Sequence, residues 1–385
     1  MEEEVQAQVR LWDIFHYFLR LGCLGFGGPI ALVGYMQKDL VERDKWVTQE
    51  EFSQGVALGA TLPGPLAAQV AMWIGYLRQG FWGCTVASIG LIAPPFCIVL
   101  VIAAVYVQFE HAQWIRALFY GIGPAIAALI AESCYRLGKQ YLPDWKMVTL
   151  ALVCLLVTVI VHAELVILFI VGGVVGILLY APSRRAKGGK PSPPSVLPLV
   201  MLTGINLLRG AKLGLLTKLG IFFFKAGAFT FGSGLAVAPF IYQGAVLEYK
   251  WLTEREFLDT VAVGMITPGP VVIMATFAGY LVQGFWGSFI ASLGVFLPIY
   301  LMVIFVAPYL LKHHDHPQVS AFVKGATSAA IGVISGAAVI IGKGVITDWP
   351  TVLLAVISLL LVIRWKVRGL LLVAGAGLVG LLLYH

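Results

Sequence analysis

Residues 75–83 read GYLRQGFWG, and residues 279–287 read GYLVQGFWG. A chain that spells so specific a segment twice has to build the same object twice and then fit the two copies together. The match runs on. KWVTQEEF (45–52) returns as KWLTEREF (250–257), LPGP (62–65) as TPGP (267–270), and ASIGLIAPP (87–95) as ASLGVFLPI (291–299). Phe26-Gly27-Gly28-Pro29 faces Phe231-Gly232-Ser233-Gly234, Arg20 faces Lys225, and Gly22 faces Gly227. The offset is 205 residues up to the PGP motifs and 204 after them. An order kept along about 75 residues marks an internal duplication.

Each copy is made of apolar runs of membrane-spanning length, such as 81–109 and 285–311. A bilayer-crossing helix needs roughly 20 apolar residues. Charged residues are only 12% of the chain and mean hydropathy is +0.91, against about 25% charged in soluble domains. No alternation of barrel period is present. The fold class expected is an all-α integral membrane protein made of two homologous helical repeats. The opening MEEEVQAQVR lacks the basic start of a cleavable signal, so the first apolar segment is expected to be retained. The segment APSRRAKGGKPSPPS (181–195) has linker composition. This divides the chain into a repeat at 1–180, a linker with an interfacial helix at 181–212, and a second repeat at 213–385.

The same order of segments is expected in each repeat: a Gly-interrupted helix, a helix broken by Pro-Gly-Pro, two long spans, and two shorter runs. The total is 10 to 12 transmembrane or re-entrant helices. The basic clusters RRAKGGK (184–190) and RWKVR (364–368) both argue for the cytoplasmic side. Six spans per repeat would put them on opposite sides. An odd number, with the first segment re-entrant, would invert the repeats, the arrangement common in secondary transporters.

The breaks carry the functional expectation. Thr48-x-x-Glu51 and Thr253-x-x-Glu256 are capping boxes that fix helix entry. The PGP motifs begin some ten residues later, about 15 Å deep. Proline removes N–H donors and clashes with the preceding turn. Broken backbone at that depth is tolerated only inside protein or beside water. The sites expected to touch a solute are therefore Thr61, Pro63, Gly64 and Pro65, and Thr267, Pro268, Gly269 and Pro270. The glycine breaks add Phe26, Gly27, Gly28, Phe231, Gly232, Ser233 and Gly234. Helices restarting there present positive ends that suit an anion. The competing reading is close packing through small residues. Arg20 and Lys225 either serve the same site or snorkel to the interface.

Other features have plainer readings. Glu132 either relays a proton or pairs with Arg136, one turn on. Arg78 and Lys324 are expected at headgroup level. His313-His314-Asp315-His316 is read as a solvated loop. The five cysteines form no CxxC pair and are expected to be buried and free. No metal, cofactor or catalytic motif is expected. The net charge of +7 is spread over short interhelical segments, which argues against nucleic acid.

Two copies of a Phe-Gly-Gly/Ser break, a PGP helix and a GYL-x-QGFWG turn resemble the chromate transporter family, in its long two-domain form. The resemblance covers nearly the whole chain. It implies a multi-pass protein of the cytoplasmic membrane that exports chromate, in exchange with sulfate or driven by membrane potential. It implies about ten spans with halves of opposite orientation, and it is compatible with a homodimer. The cargo alternative is sulfate or another oxyanion. A rival of another class is a membrane enzyme or assembly subunit. A dianion leaving an inside-negative cell gains about 4.6 kcal/mol per 100 mV, from roughly 2.3 per charge. The repeats depart from symmetry at Pro29 versus Gly234, Leu62 versus Thr267, and Gln69 versus Met274.

Overall fold

A capping box predicts where a helix starts, and both boxes form. The Thr48 hydroxyl accepts from the Glu51 N–H at 3.1 Å, and the Thr253 hydroxyl from the Glu256 N–H at 3.2 Å. Around them the computed structural model describes residues 9–26, 28–109, 113–161, 165–180, 214–232, 234–308, 317–367 and 369–383. Half one contains α1 (Leu11–Leu24), α2 (Gly28–Met36, continued by a π-wound turn Gln37–Arg43), α3 (Gln49–Thr61) and α4 (Leu66–Phe109), then α5 (Gln113–Tyr141), α6 (Trp145–Val161) and α7 (Leu165–Tyr180). Half two contains α8 (Leu215–Ala228), α9 (Gly234–Glu248), α10 (Glu254–Ile266), α11 (Val271–Val306), α12 (Pro317–Val345), α13 (Trp349–Trp365) and α14 (Gly369–Leu383).

The repeated GYL-x-QGFWG segment is a reversal of direction. Inside α4, Gln79 and Gly80 leave helical geometry, and Gly80 has φ +56°. Gln283 and Gly284 do the same in α11, with φ +57° at the glycine. A left-handed φ is what glycine supplies without strain. The outer glycines let the two arms touch. A Cβ on Gly75 would stand 2.4 Å from the Gly83 carbonyl oxygen, and one on Gly279 would stand 2.3 Å from that of Gly287.

The breaks are also reversals, which corrects the expectation of one re-entrant segment and one broken span per repeat. Arg78, after the PGP break, pairs with Glu51 before it at 2.5 Å. The Trp73 indole N–H donates to the Glu51 carbonyl at 3.4 Å. So α3 and the arm 66–78 form a hairpin that dips into the layer and returns. The first break behaves alike: the Tyr17 hydroxyl donates to Asp39 at 3.3 Å, and the Tyr17 ring meets Trp46 at 5.6 Å. In half two, Phe222 packs on Gly244, Tyr249 and Trp251, and Gly264 packs on Met274. Each half thus opens with two re-entrant hairpins. Arg78, expected at headgroup level, is instead a largely buried closing pair.

The halves run in opposite senses. The second arm of α4, 81–109, starts on the face where half one enters, the near face. Near its start Thr85 shares a 2.6 Å hydrogen bond with Tyr300, close to the end of α11. Near its far end Tyr106 bonds Asp259, in the entry arm of a half-two hairpin. Half two therefore enters from the far face. Tyr120, early in α5, reaches Asp348 at 2.8 Å and agrees. Among the described residues each half has two long helices, which cross, and a pair of short ones. Each half thus enters and exits on a single face. The described parts of the two repeats are therefore inverted with respect to one another. The linker itself, the His313–His316 cluster, Gly27 and Ser233 lie outside the described residues.

The halves are also interlocked. In half one, α6 and α7 pack on α12 of half two: Gly332 meets Ala151, and Gly325 meets Gly172 and Gly176. In half two, α13 and α14 clasp α5 of half one, with Gly380 against Ala117 and Gly121. Small residues allow such close crossings where lipid offers no hydrophobic drive. Outward faces carry exposed apolar side chains such as Ile160, Leu178 and Leu382, the surface a lipid-embedded bundle presents. Cys84 and Cys154 are buried and Cys134 half-buried, but Cys23 and Cys97 are exposed, contrary to expectation. The Glu132 carboxylate lies 3.7 Å from Arg136, as the pairing reading expects.

Matching acids cap the short helices. Asp144 accepts from the Met147 N–H at 3.0 Å and the Tyr180 hydroxyl at 2.5 Å. Asp348 accepts from the Thr351 N–H at 3.0 Å and from Tyr120. The Tyr180 hydroxyl, then the Met147 amide, hold Asp144 below the ordinary carboxylate range; the Thr351 amide, then Tyr120, do so for Asp348. A depressed folded value means the caps contribute fully above the unfolded carboxylate value and fade as pH falls through the folded one. Hydrogen-exchange protection at the Met147 and Thr351 amides, taken relative to the intrinsic rate at each pH, is expected to fall on acidification through that window. Asp144→Asn and Asp348→Asn should abolish the pH response at their own amides.

Candidate functional site: four hairpin tips

Each hairpin ends in a tip: Gly25–Gly28, Leu62–Pro65, Phe229–Gly234 and Thr267–Pro270. The tips meet at the centre and pair across the halves. Gly64 and Pro65 form a two-residue parallel strand with Phe231 and Gly232, Gly64 opposite Phe231 and Pro65 opposite Gly232. The Gly64 N–H donates to the Thr230 carbonyl. The Gly269 N–H donates to the Gly25 carbonyl at 3.0 Å. Gly64 matches Gly269, and Gly25 matches Thr230, each 205 residues apart, so these are two copies of one contact. Each half's PGP tip is bonded to the other half's Phe-Gly tip.

Sequence chemistry explains why the contact falls here. The prolines at 63, 65, 268 and 270 remove donors and end the helices. Gly64 has φ +136° and Gly269 φ +85°, both unfavourable for any residue with a Cβ. A Cβ on Gly64 would also stand 2.7 Å from Gln69 Nε2 and 3.2 Å from Ile299 Cγ2, and one on Gly269 would stand 2.9 Å from Pro95 Cγ. Ile299 and Pro95 are themselves matched positions on the third helix of the opposite half. The orphaned carbonyls at the end of α3 are taken by Gln69, whose Nε2 donates to Pro63 at 2.7 Å and Leu62 at 3.3 Å. In half two the Thr267 hydroxyl back-bonds to the Val263 carbonyl at 2.9 Å.

Four helical arms restart at this junction, at Gly28, Leu66, Gly234 and Val271. Their positive ends face inward from both sides of the layer. Of the residues expected at a site, the backbones of Phe26, Gly28, Thr61, Pro63, Gly64, Pro65, Phe231, Gly232, Gly234, Thr267, Pro268, Gly269 and Pro270 are all brought to the tips. The side chains of Thr61, Phe231 and Gly232 lie outside the described residues. Arg20 and Lys225 each lie five residues before the cross-half contact residue of their arm, Gly25 and Thr230, about 7.5 Å along a helix. Among the described residues neither side chain has a hydrogen-bond or ion-pair partner.

Two cavities flank the junction rather than fill it. One, about 370 Å³, opens on the near face between Trp12, Asp13, His16, Tyr17, Arg20 and Arg43. There Arg43 is held by Asp39 at 3.0 Å and Asp44 at 2.8 Å, and Asp13 takes Arg10 at 3.4 Å. Hydrogen bonding from Arg43 holds Asp44 below the usual carboxylate range. Arg20 is left as the available cation of that cavity. The other, about 270 Å³, lies toward the far face between α5, α10 and α12, with Tyr120, Tyr242, Glu254 and Arg255 on its wall.

Sequence reasoning missed two buried polar residues. Asp259 is 0% exposed and accepts from the Tyr106 hydroxyl of the other half. In the sequence Glu132 is the clearest acid in an apolar run, whereas Asp259 lies two turns past a capping box, where a charge looks like helix surface. Gln69 stands out in the sequence only as a point of asymmetry against Met274.

Substitutions test this geometry. Gly64→Ala or Gly269→Ala should cost roughly 1–3 kcal/mol from the left-handed backbone alone, seen as a fall in detergent melting temperature. The unconstrained, helical Gly34→Ala should not lower it. Tyr106→Phe removes a cross-half donor to a carboxylate and should cost roughly 1.5–3 kcal/mol, with Asp259→Asn closer to wild type because an amide still accepts from the phenol.

The sequence profile described as Chromate transporter matches residues 12–177 and 217–381. The chromate transport protein of Cupriavidus metallidurans is 44% identical over 97% of this chain and 93% of its own length. The probable chromate transport protein of Synechococcus elongatus is 41% identical over 94% of this chain and 92% of its own. The chromate transport protein of Pseudomonas aeruginosa is 27% identical over 99% and 94%. No solved structure matches the chain. These relatives are named as transport proteins, not enzymes. An all-helical, multi-pass membrane protein with a duplicated, inverted set of broken helices, matched along both halves by one profile, belongs to the chromate transporter family.

Proposed function

We propose that this chain carries chromate outward across the cytoplasmic membrane as a secondary transporter. The observation that carries the reading is the crossed pairing of Gly64 with Thr230 and Gly269 with Gly25. It puts glycine backbone and four helix starts at one place, a setting that favours a tetrahedral anion and offers little to a cation. The relatives' names supply the cargo. The solute would touch Phe26, Gly27, Gly28, Pro63, Gly64 and Pro65 from one half, and Phe231, Gly232, Ser233, Gly234, Pro268, Gly269 and Pro270 from the other. Thr61 would lend a hydroxyl, and Thr267 would do so on turning its proton away from the Val263 carbonyl. Arg20 and Lys225, one on each approach, would draw the anion inward.

The sequence units 1–180 and 213–385 are too interlocked to rock as rigid halves. Motion is assigned instead to the hairpins, whose tips are joined to the opposite half by few hydrogen bonds. Each charge leaving an inside-negative cell gains roughly 2.3 kcal/mol per 100 mV, so voltage alone can drive export. Exchange with sulfate would show as flux that needs sulfate on the other side and ignores voltage.

Sealed vesicles holding the purified protein, given labelled chromate or sulfate at imposed voltage, test this. Chromate flux is expected, rising with voltage. Arg20→Ala and Lys225→Ala should each lower it about tenfold or more, the scale of one lost charge-assisted contact, with helical content unchanged. Full flux in both variants would remove these cations from the path.

A further inference from the structure

Gln69 is 2% exposed, one turn past Pro65 in the half-one PGP tip. Its amide nitrogen is committed, because only a donor can satisfy the Pro63 and Leu62 carbonyls it contacts. That assigns the side chain's orientation from its network. The other end, Oε1, is buried and has no hydrogen-bond partner among the described residues. Buried polar atoms are nearly always paired, so an orphan asks for an explanation. Neither neighbouring glycine offers a side chain to meet it: a Cβ on Gly59 would stand 3.3 Å from this oxygen. Half two places buried Met274 opposite Gln69 and so has no acceptor there.

A lone acceptor is the wrong group for a fully ionised oxyanion, whose oxygens are all acceptors too. It is the right group for an oxyanion that still carries one proton. Chromate loses its last proton near neutral pH, while sulfate and selenate lose theirs only in acid. In neutral water chromate therefore offers a hydroxyl that the other two do not. Resting on the oxyanion-transport reading above, we propose that Gln69 Oε1 accepts a hydrogen bond from the hydroxyl of singly protonated chromate and thereby selects it against sulfate. The first amides of the helical arms that restart at the tips, which have no partner within their own helix, would hold the remaining oxygens. Each chromium would then move with one negative charge and one proton, the proton being taken up and lost in solution on either side.

The test uses the full chain purified in detergent and in vesicles, with chromate, sulfate and selenate as probes. Selenate matters because it is close to chromate in size but lacks its proton at neutral pH. Wild-type affinity for total chromate is expected to weaken by about tenfold per pH unit above chromate's own ionisation, with selenate and sulfate weaker and flat. Gln69→Met, which copies half two and removes the acceptor, should cut the preference for chromate over selenate about tenfold or more and flatten the chromate slope. Equal wild-type binding of chromate and selenate at every pH would overturn the role of Gln69 while leaving oxyanion transport standing, and needs no variant to fold. An unchanged preference in Gln69→Met would overturn it as well. If no oxyanion binds or moves at any pH, the transport reading falls and this inference with it.

Discussion

The structure depends on what becomes of backbone polar groups where helices stop inside a membrane. Lipid offers no partner there, so every freed amide and carbonyl must find protein or a water-filled cavity. This chain pairs them across its two copies: Gly64 with Thr230, Gly269 with Gly25, and a two-residue parallel strand between Gly64–Pro65 and Phe231–Gly232. Neither half could end its own hairpins without leaving these groups unmet. The duplication therefore has a structural use, since each copy supplies the partner for the other's broken ends.

The same crossing organises the periphery. The third helix of each half brings a residue, Pro95 or Ile299, against the opposite PGP glycine. The short helices of each half clasp the long fourth helix of the other. A protein built so has few ways to separate its halves, which concentrates freedom in the hairpins. Their outer ends are tied by side chains, Glu51 to Arg78 in half one and edge-on contacts of Phe222 with Tyr249 and Trp251 in half two. The tips themselves are held by backbone.

Symmetry in the backbone coexists with asymmetry in the chemistry. Half one carries the Glu51–Arg78 pair, the charged near-face cavity and Gln69. Half two carries Asp259, and at the places of Arg78 and Gln69 it has Val282 and Met274. Two copies built on one backbone plan thus present different groups to the two faces of the membrane.

The sequence by itself determined where helices stop and restart. Proline at 63, 65, 268 and 270, glycine in the Phe-Gly motifs, and threonine–glutamate capping boxes act within a turn or two of the chain, and their effects could be read directly. It also determined that the whole object is made twice. Only the tertiary structure decided that each break reverses the chain, since a missing donor says that a helix ends and nothing about where the next one points. Tertiary structure likewise decided which tips pair, and that Arg78 and Asp259 are buried while Arg20 faces a cavity. Those outcomes rest on contacts between residues tens to hundreds of positions apart, such as Glu51 with Arg78 and Tyr106 with Asp259. Burial of a polar side chain is a property of what surrounds it, and no local pattern records that.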